Sequence, residues 1–193
     1  MKRIRSLYYL IFTPGNYFKL WLFNVKYTKV QINGSLFIFN KGTLIIGEHA
    51  KINSSKYVNT IGGDTRSSIV VKKGGSMHIG RNLKMSNTVL YCVRRIEIGN
   101  DVMIGASCRI WDTDFHPLDP VLRAQTPNEN FKTAPVTIGN NVFIGAFSIV
   151  LKGVSIGDNS VIGAGSVVTR SVPANEIWGG NPAVFIKKLP VNG

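Results

Sequence analysis

A chain of 193 residues, 44% hydrophobic, is long enough for one domain with a sizeable core. Its 23 Lys and Arg against 10 Asp and Glu give a formal charge of +13, which favours anionic partners: nucleic acid, a lipid headgroup or a phosphate-bearing cosubstrate. Two cysteines exclude a disulfide scaffold, and no stretch reaches the roughly 18 apolar residues of a membrane-spanning helix.

Residues 1–29 hold Lys2, Arg3, Arg5, Lys19, Lys26 and Lys29 and no acidic residue, interleaved with Leu7, Tyr8, Tyr9, Phe12, Tyr17, Phe18, Trp21 and Phe23. Pro14-Gly15 predicts a break into two short helical pieces. The basic start and the apolar run at 7–12 imitate a signal peptide, but the run is short for one and no small-residue cleavage site follows. The expectation is a cytoplasmic protein in a reducing compartment. Two roles stay open for this segment. It is a cap whose aromatics seal the end of the next element, or a basic aromatic surface that rests on an anionic membrane at its inner face.

From about residue 30 a period of six emerges, irregular at first: Ile46 and Ile52, then Ile79 and Met85. Residues 59–68, NTIGGDTRSS, break it and read as a loop. The period tightens through Ile98, Ile104 and Ile110, and is strict at Ile138, Ile144, Val150, Ile156, Ile162 and Val168. Four residues after most of these comes a small or β-branched one: Val142, Ser148, Val154, Ser160 and Ser166, with Cys108 in the same place after Ile104. That position predicts a buried, reduced thiol. Six is neither the roughly 3.6 of a helix nor the 2 of an ordinary strand. It fits a parallel β-helix, in which each flat side is a short strand and each corner a tight turn. Inward aliphatics then stack from coil to coil, and Gly or Asn takes the corner dihedrals. The fold class is therefore all-β: a β-helix over 30–172, an N-terminal cap over 1–29 and a tail over 173–193. The Pro and Gly of that tail predict an extended segment, not another rung.

After Ile110 the phase is lost until Ile138, a gap of 28 that is no multiple of six. Residues 111–137 must leave the coil as a long loop, and loops of that size in a compact domain are usually functional. The loop opens WDTDFHPLDP, placing His116 among Asp112, Asp114 and Asp119. An imidazole titrating at about pH 6.5 is the natural general base at neutral pH, and a carboxylate beside it fixes its tautomer.

The HP pair at His116-Pro117, the block PVTIGNNVFIGAFSIVLKGVSIGDNSVIGAGSVVTRSVP at 135–173 and the closing GGNPAVFIKK at 179–188 carry a resemblance. The chain resembles the hexapeptide-repeat acyltransferases of the galactoside and maltose acetyltransferase type, and more closely the O-acetyltransferases of polysaccharide biosynthesis. The likeness runs from about residue 79 to 188. It implies a left-handed β-helix, a homotrimer with active sites between subunits, and acetyl-CoA lying along the groove between two coils. His116 stands at the family's catalytic histidine, expected to take a proton from an acceptor hydroxyl that attacks the thioester directly. Ala146 stands where a backbone N–H meets the oxyanion, with Gly145 allowing close approach. Ala146, Ala164, Gly165, Thr169, Arg170 and Lys187 match acetyl-CoA-binding positions, Arg170, Lys187 and Lys188 as phosphate partners.

On the acceptor side the sequence departs from the family. Ser86 stands where an asparagine is expected, Arg94 replaces an acidic contact, and Phe143 replaces a tryptophan. Asp112, Asp114 and Arg123 are candidates, by loop position alone, for binding acceptor hydroxyls or orienting His116. The expected function is acetyl-CoA-dependent O-acetyl transfer to a sugar or glycan hydroxyl. The runner-up is acetyl transfer to another small molecule, an antibiotic or an amino-sugar nucleotide. A γ-type carbonic anhydrase needs three zinc histidines, and His49, His78 and His116 include no closely spaced pair, so no metal is expected. A scaffold rod would keep its period unbroken. No nucleic-acid motif accompanies the charge, so nucleic acid is not an expected partner.

Overall fold

The computed structural model describes residues 2–125 and 131–190, with side chains from residue 12 onward. It opens on a single helix, α1 (Lys2–Leu22), that runs through Pro14 and corrects the expected break into two pieces. A proline inside a helix removes one N–H and crowds the preceding turn. Here the following turn is clamped from outside. Asn16, 1% exposed, donates Nδ2 to the Gly34 carbonyl at 2.6 Å and accepts from the Leu36 N–H at 3.1 Å. The Tyr17 hydroxyl donates to the Val30 carbonyl at 2.8 Å, and Lys19 Nζ to that of Leu36 at 2.9 Å. Helix α1 thus lies across the base of the first coil, and its described contacts there come from Asn16, Tyr17, Lys19 and Leu20. Leu20 and Val25 enter the core and Phe23 packs against it, while Tyr17, Phe18 and Trp21 face outward. Residues 7–11 of the proposed aromatic cap lie outside the described side chains.

The rest is a left-handed parallel β-helix with three flat faces. The first face stacks strands Lys26–Tyr27, Thr43–Ile46, Ser76–Ile79, Arg95–Ile98, Val136–Ile138 and Ser155–Ile156. The second stacks Gln31–Gly34, Lys51–Ser54, Lys84–Ser86, Met103–Ala106, Phe143–Ile144 and Val161–Ile162. The third stacks Phe37–Asn40, Ser68–Val71, Val89–Cys92, Arg109–Trp111, Ile149–Val150 and Val167–Val168.

The register explains the hexad. Successive hexads occupy successive faces, so residues three hexads apart are coil neighbours: Ile138 pairs with Ile156, Ile144 with Ile162, Val150 with Val168. All six are buried, each side chain worth about 1.5–3 kcal/mol when removed from water. The small residues four positions on are buried as well. Ser148 and Ser160 donate their hydroxyls to the carbonyls of Gly163 and Pro173, which is how a hydroxyl survives inside an apolar column.

At the corner between first and second faces, Asn82, Asp101, Asn141, Asn159 and Asn175 all hold a positive φ near 60°, a conformation that short polar side chains tolerate. Their side chains bond upward as a ladder: Asn82 to Asp101 at 2.7 Å, Asn141 to Asn159 at 3.1 Å, Asn159 to Asn175 at 2.8 Å.

Two segments leave the coil. Residues 55–67 depart between the second and third faces and contain a short 3-10 turn, Thr60–Gly62; Ser68, expected in the loop, already belongs to a strand. The chain departs again between the third and first faces, after Trp111 and before Val136, and the described residues there include a short helix, α2 (Pro120–Arg123).

The tail does not trail away, which corrects the expectation of an extended segment. Val172 bridges to Ile156 on the first face. Strand Glu176–Gly180 then continues the second face in parallel with Val161–Ile162, and Ala183–Lys188 folds back on it antiparallel. Val172 and Trp178 supply the inward apolar groups of a further partial coil, with Gly179, Gly180 and Pro182 confined to the hairpin end. Among the described residues no helix is long and apolar enough to cross a membrane.

Candidate active site

The long loop is built on a carboxylate. Asp112, fully buried, accepts from the backbone N–H groups of Val93, Arg94 and Arg95, each at 2.7 Å. These belong to the turn of the coil beneath. With its oxygens so engaged and no solvent contact, Asp112 is an anchor, which removes it from the acceptor contacts expected of it. The two arms of the loop then join: Thr113 bridges Thr133, Asp114 N–H donates to the Lys132 carbonyl at 2.9 Å, and Ala134 N–H to that of Asp112 at 3.0 Å. The Asp114 carboxylate pairs with Lys152 Nζ at 3.0 Å, tying the loop to the next coil. Asp114 also lines the cavity beside His116, and its pairing with Lys152 had no signal in the sequence. Lys152 sits two residues after Val150, at a hexad corner where glycine would be unremarked.

Phe115 adopts a left-handed φ of 62°. Its ring rests 5.0 Å from Tyr91 and 5.8 Å from Trp111, on the outside of the third face. That turn throws His116 outward, exposed, with its backbone N–H donating to the Asp114 carbonyl at 2.7 Å and Pro117 buried behind it. Asp119 caps α2, accepting from Val121 and Leu122, and Arg123 Nη1 donates to the carbonyls of Pro117 and Leu118. Arg123 thus braces the segment that follows the histidine. The result is a cavity of about 220 Å³ lined by His116, Pro117, Leu118, Leu122 and Lys132 together with Asp114 and Asp119.

A second constellation lies on a different edge, where the second face turns into the third. Asn87, Ser107, Phe147 and Gly165 stack there with positive φ. Between them, backbone meets backbone. A Cβ placed on Gly105 would stand 2.5 Å from Ala146 N, and one on Gly145 would stand 2.5 Å from Ala164 N. Gly165 N–H donates to the Ala146 carbonyl at 2.8 Å, whereas the Ala146 N–H finds no acceptor among the described residues. Ala164 and Gly165 are exposed, and Gly165 has open space where a side chain would be. The corner is a narrow shelf on which the Ala164 N–H, like that of Ala146, has no acceptor among the described residues.

The remaining expected residues are dispersed. Ser86, 8% exposed, accepts from Asn53 Nδ2 at 3.0 Å in a polar ladder low on the second face. Thr169 and Arg170 are exposed on the edge from which the loop departs, the Arg170 guanidinium lying 5.7 Å over the Trp178 ring. Lys187 is exposed on the back-folded strand, opposite Ile177. Phe143 is exposed on the second face, stacked between Met103 and Val161. No residue of the Ala146 shelf lines the His116 cavity. One chain alone holds the two halves on neighbouring edges of a triangular prism.

Both cysteines are free and buried. Burial, and secondarily the Asp112 charge, pushes the Cys92 thiol up to about 12; burial pushes Cys108 to about 11. Neither can serve as a thiolate nucleophile near neutral pH. His49 lies 3.7 Å from Glu48, His78 points outward from the first face, and no group of three or more His, Cys, Asp or Glu among the described residues could hold a metal ion.

A family profile described as the hexapeptide repeat of succinyl-transferase matches residues 135–170. The galactoside O-acetyltransferase of Escherichia coli K12 is 39% identical over 117 residues, covering 60% of this chain and 56% of that one. Protein CapG of Staphylococcus aureus is 50% identical over 95 residues, covering 49% and 53%. Among solved structures, a maltose O-acetyltransferase of Clostridium difficile 630 superposes with a TM-score of 0.58 at 29% identity, over 88% of this chain and 72% of that one. The chain is similar to hexapeptide-repeat acetyltransferases in its later coils and in its fold. Two further solved structures share the fold. A hexapeptide-repeat acetyltransferase of Vibrio cholerae, solved with acetyl coenzyme A, gives a TM-score of 0.57 at 25% identity over 89% and 74% of the two chains. A point mutant of the N-acyltransferase AntD of Bacillus cereus, solved with dTDP and coenzyme A, gives 0.70 at 25% identity over 91% and 88%. This chain spans a little over half the length of the curated relatives it matches.

Proposed function

We propose that the protein is an acetyl-CoA-dependent O-acetyltransferase of the cytoplasm that modifies a sugar or glycan hydroxyl by direct transfer. The observation that carries this reading is the pair of half-sites: an exposed histidine on a braced loop, and a small-residue shelf with an available N–H on the adjacent edge. His116 takes the proton of the acceptor hydroxyl as its oxygen bonds to the thioester carbonyl carbon. General-base help of this kind contributes roughly 10²–10⁴-fold. The charge that develops on the carbonyl oxygen is met by the Ala146 N–H, a fixed donor of the oxyanion-hole type. The carbon–sulfur bond breaks, and the departing thiolate takes back the proton held by His116. With both thiols buried and held protonated, no acyl-enzyme on cysteine is needed or available.

Ala164 and Gly165 leave the shelf open to a slender pantetheine arm, with Thr169, Arg170 and Lys187 as contacts for the rest of acetyl-CoA. Because the half-sites sit on different edges, a complete site needs a second copy, and a closed homotrimer supplies three identical ones. Transfer to an amino group of a nucleotide sugar is the second reading, favoured by the similarity to AntD over most of both chains.

Complementation tests the shared site. His116→Ala breaks one half-site and Ala164→Trp blocks the other. Each homotrimer is expected to be inactive, whereas mixed trimers recover about a quarter of wild-type activity through interfaces with both halves intact. Mixed trimers as dead as the parents would overturn the shared site. Absence of saturable acetyl-CoA binding by the wild-type protein would overturn the acetyl-transfer reading as a whole.

A further inference from the structure

We propose that the α1 end of the coil docks on an anionic lipid bilayer, with α1 lying flat on the surface and its inner side capping the coil. The charge of the chain is strongly partitioned along the coil axis. Residues 1–73, comprising α1 and the first two coils, hold 12 Lys and Arg against 2 Asp and Glu; residues 74–193 hold 11 against 8. Lys26, Lys29, Lys41, Lys51, Arg66, Lys72 and Lys73 are all exposed at this end. One of the two carboxylates, Asp64, is already paired with Lys56.

The helix face turned away from the coil is apolar. Asn16 and Leu20 are fixed inward by the contacts to Gly34 and Leu36 and by the core. The outward positions then carry Phe18 at 58%, Trp21 at 72% and Leu22 at 55% exposure, with the Phe18 and Trp21 rings 5.7 Å apart. Spacings of three and four place these side chains on one face. Basic residues around an aromatic and aliphatic face are the composition of an interfacial helix, in which the rings enter the headgroup boundary and the cations meet anionic lipid. Among the described residues no helix is suited to cross the bilayer, so the contact is one of lying on the surface.

Charge also selects among possible occupants. A second copy meeting this end face to face would bring two strongly positive surfaces together. A nucleic acid would satisfy the cations but leave Trp21 and Leu22 in water.

The test is vesicle flotation of the full chain with phosphatidylcholine alone and with phosphatidylcholine mixed with phosphatidylglycerol, followed by Trp21 fluorescence. Binding is expected only to the mixed vesicles, weakening as salt is raised. The Phe18→Ser/Trp21→Ser double variant, altered only at exposed sites, should lose binding by roughly tenfold or more while keeping its circular dichroism and oligomeric state. Lys26→Gln/Lys29→Gln should weaken it by a smaller factor. The proposal is overturned if the wild type floats with neither vesicle, if it floats equally with both, or if the aromatic variant binds as the wild type does. A change of oligomeric state in that variant would also overturn it, by assigning the aromatics to a subunit contact, as would tighter binding to DNA than to anionic vesicles.

Discussion

The coils at 136–168 and the loop at 112–135 touch one another yet are held by opposite means. In the coils, every sixth residue repeats the same apolar contact, so many equivalent side chains share the load. In the loop, order comes from a few polar clamps that occur once each: the Asp112 carboxylate on three N–H groups, the Asp114–Lys152 pair, and the Asp119 cap. Repetition gives a rigid frame, with the Ala146 shelf at one of its corners. The singular contacts aim one imidazole.

That contrast can be broken from either side. The largest effect is expected at the aimed group: His116→Ala should lower acetyl transfer by at least roughly 10²-fold while leaving the unfolding midpoint in place, because the side chain is exposed. Near wild-type turnover would end its assignment as the base. In the frame, Ile144→Ala removes a fully buried side chain between two stacked coils and should cost about 2–5 kcal/mol in denaturant unfolding. Asp112→Ala leaves three N–H groups without their acceptor and should cost about 2–3 kcal/mol, with loss of turnover as the loop detaches. If turnover survived that loss of stability, the loop would be aimed by something other than its anchor. The smallest effect belongs to Lys152→Ala. A partly exposed pair is worth at most about 1 kcal/mol, so stability should barely change, while turnover falls through a looser loop.

The same contrast decides how much was legible in the sequence. Ile138 through Val168 could be placed on their faces from spacing alone, because each obeys a rule that its neighbours repeat. The loop could be found, as a loss of phase, but not read inside. Asp112 looks like any loop carboxylate until its burial is known, and the partners of its oxygens lie 17 to 19 residues away in the chain. Helix α1 defeated the local rule for proline because Asn16 and Leu20 are held by the coil and not by their neighbours in sequence. The tail misled in the other direction. Its Pro and Gly are turn formers in a hairpin, and Trp178, a residue outside the Ile and Val habit of the hexads, takes the inward place.

A stack of parallel strands has no natural length, since each terminal coil offers unpaired N–H and C=O groups to any strand that arrives, including that of another molecule. Helix α1 lies against the first coil, and on the second face Ala183–Lys188, running against the stack, replaces the last parallel edge with a hairpin of the opposite sense. The two closures differ in construction but have one effect: each interrupts the parallel register through which the repeat could continue into another molecule.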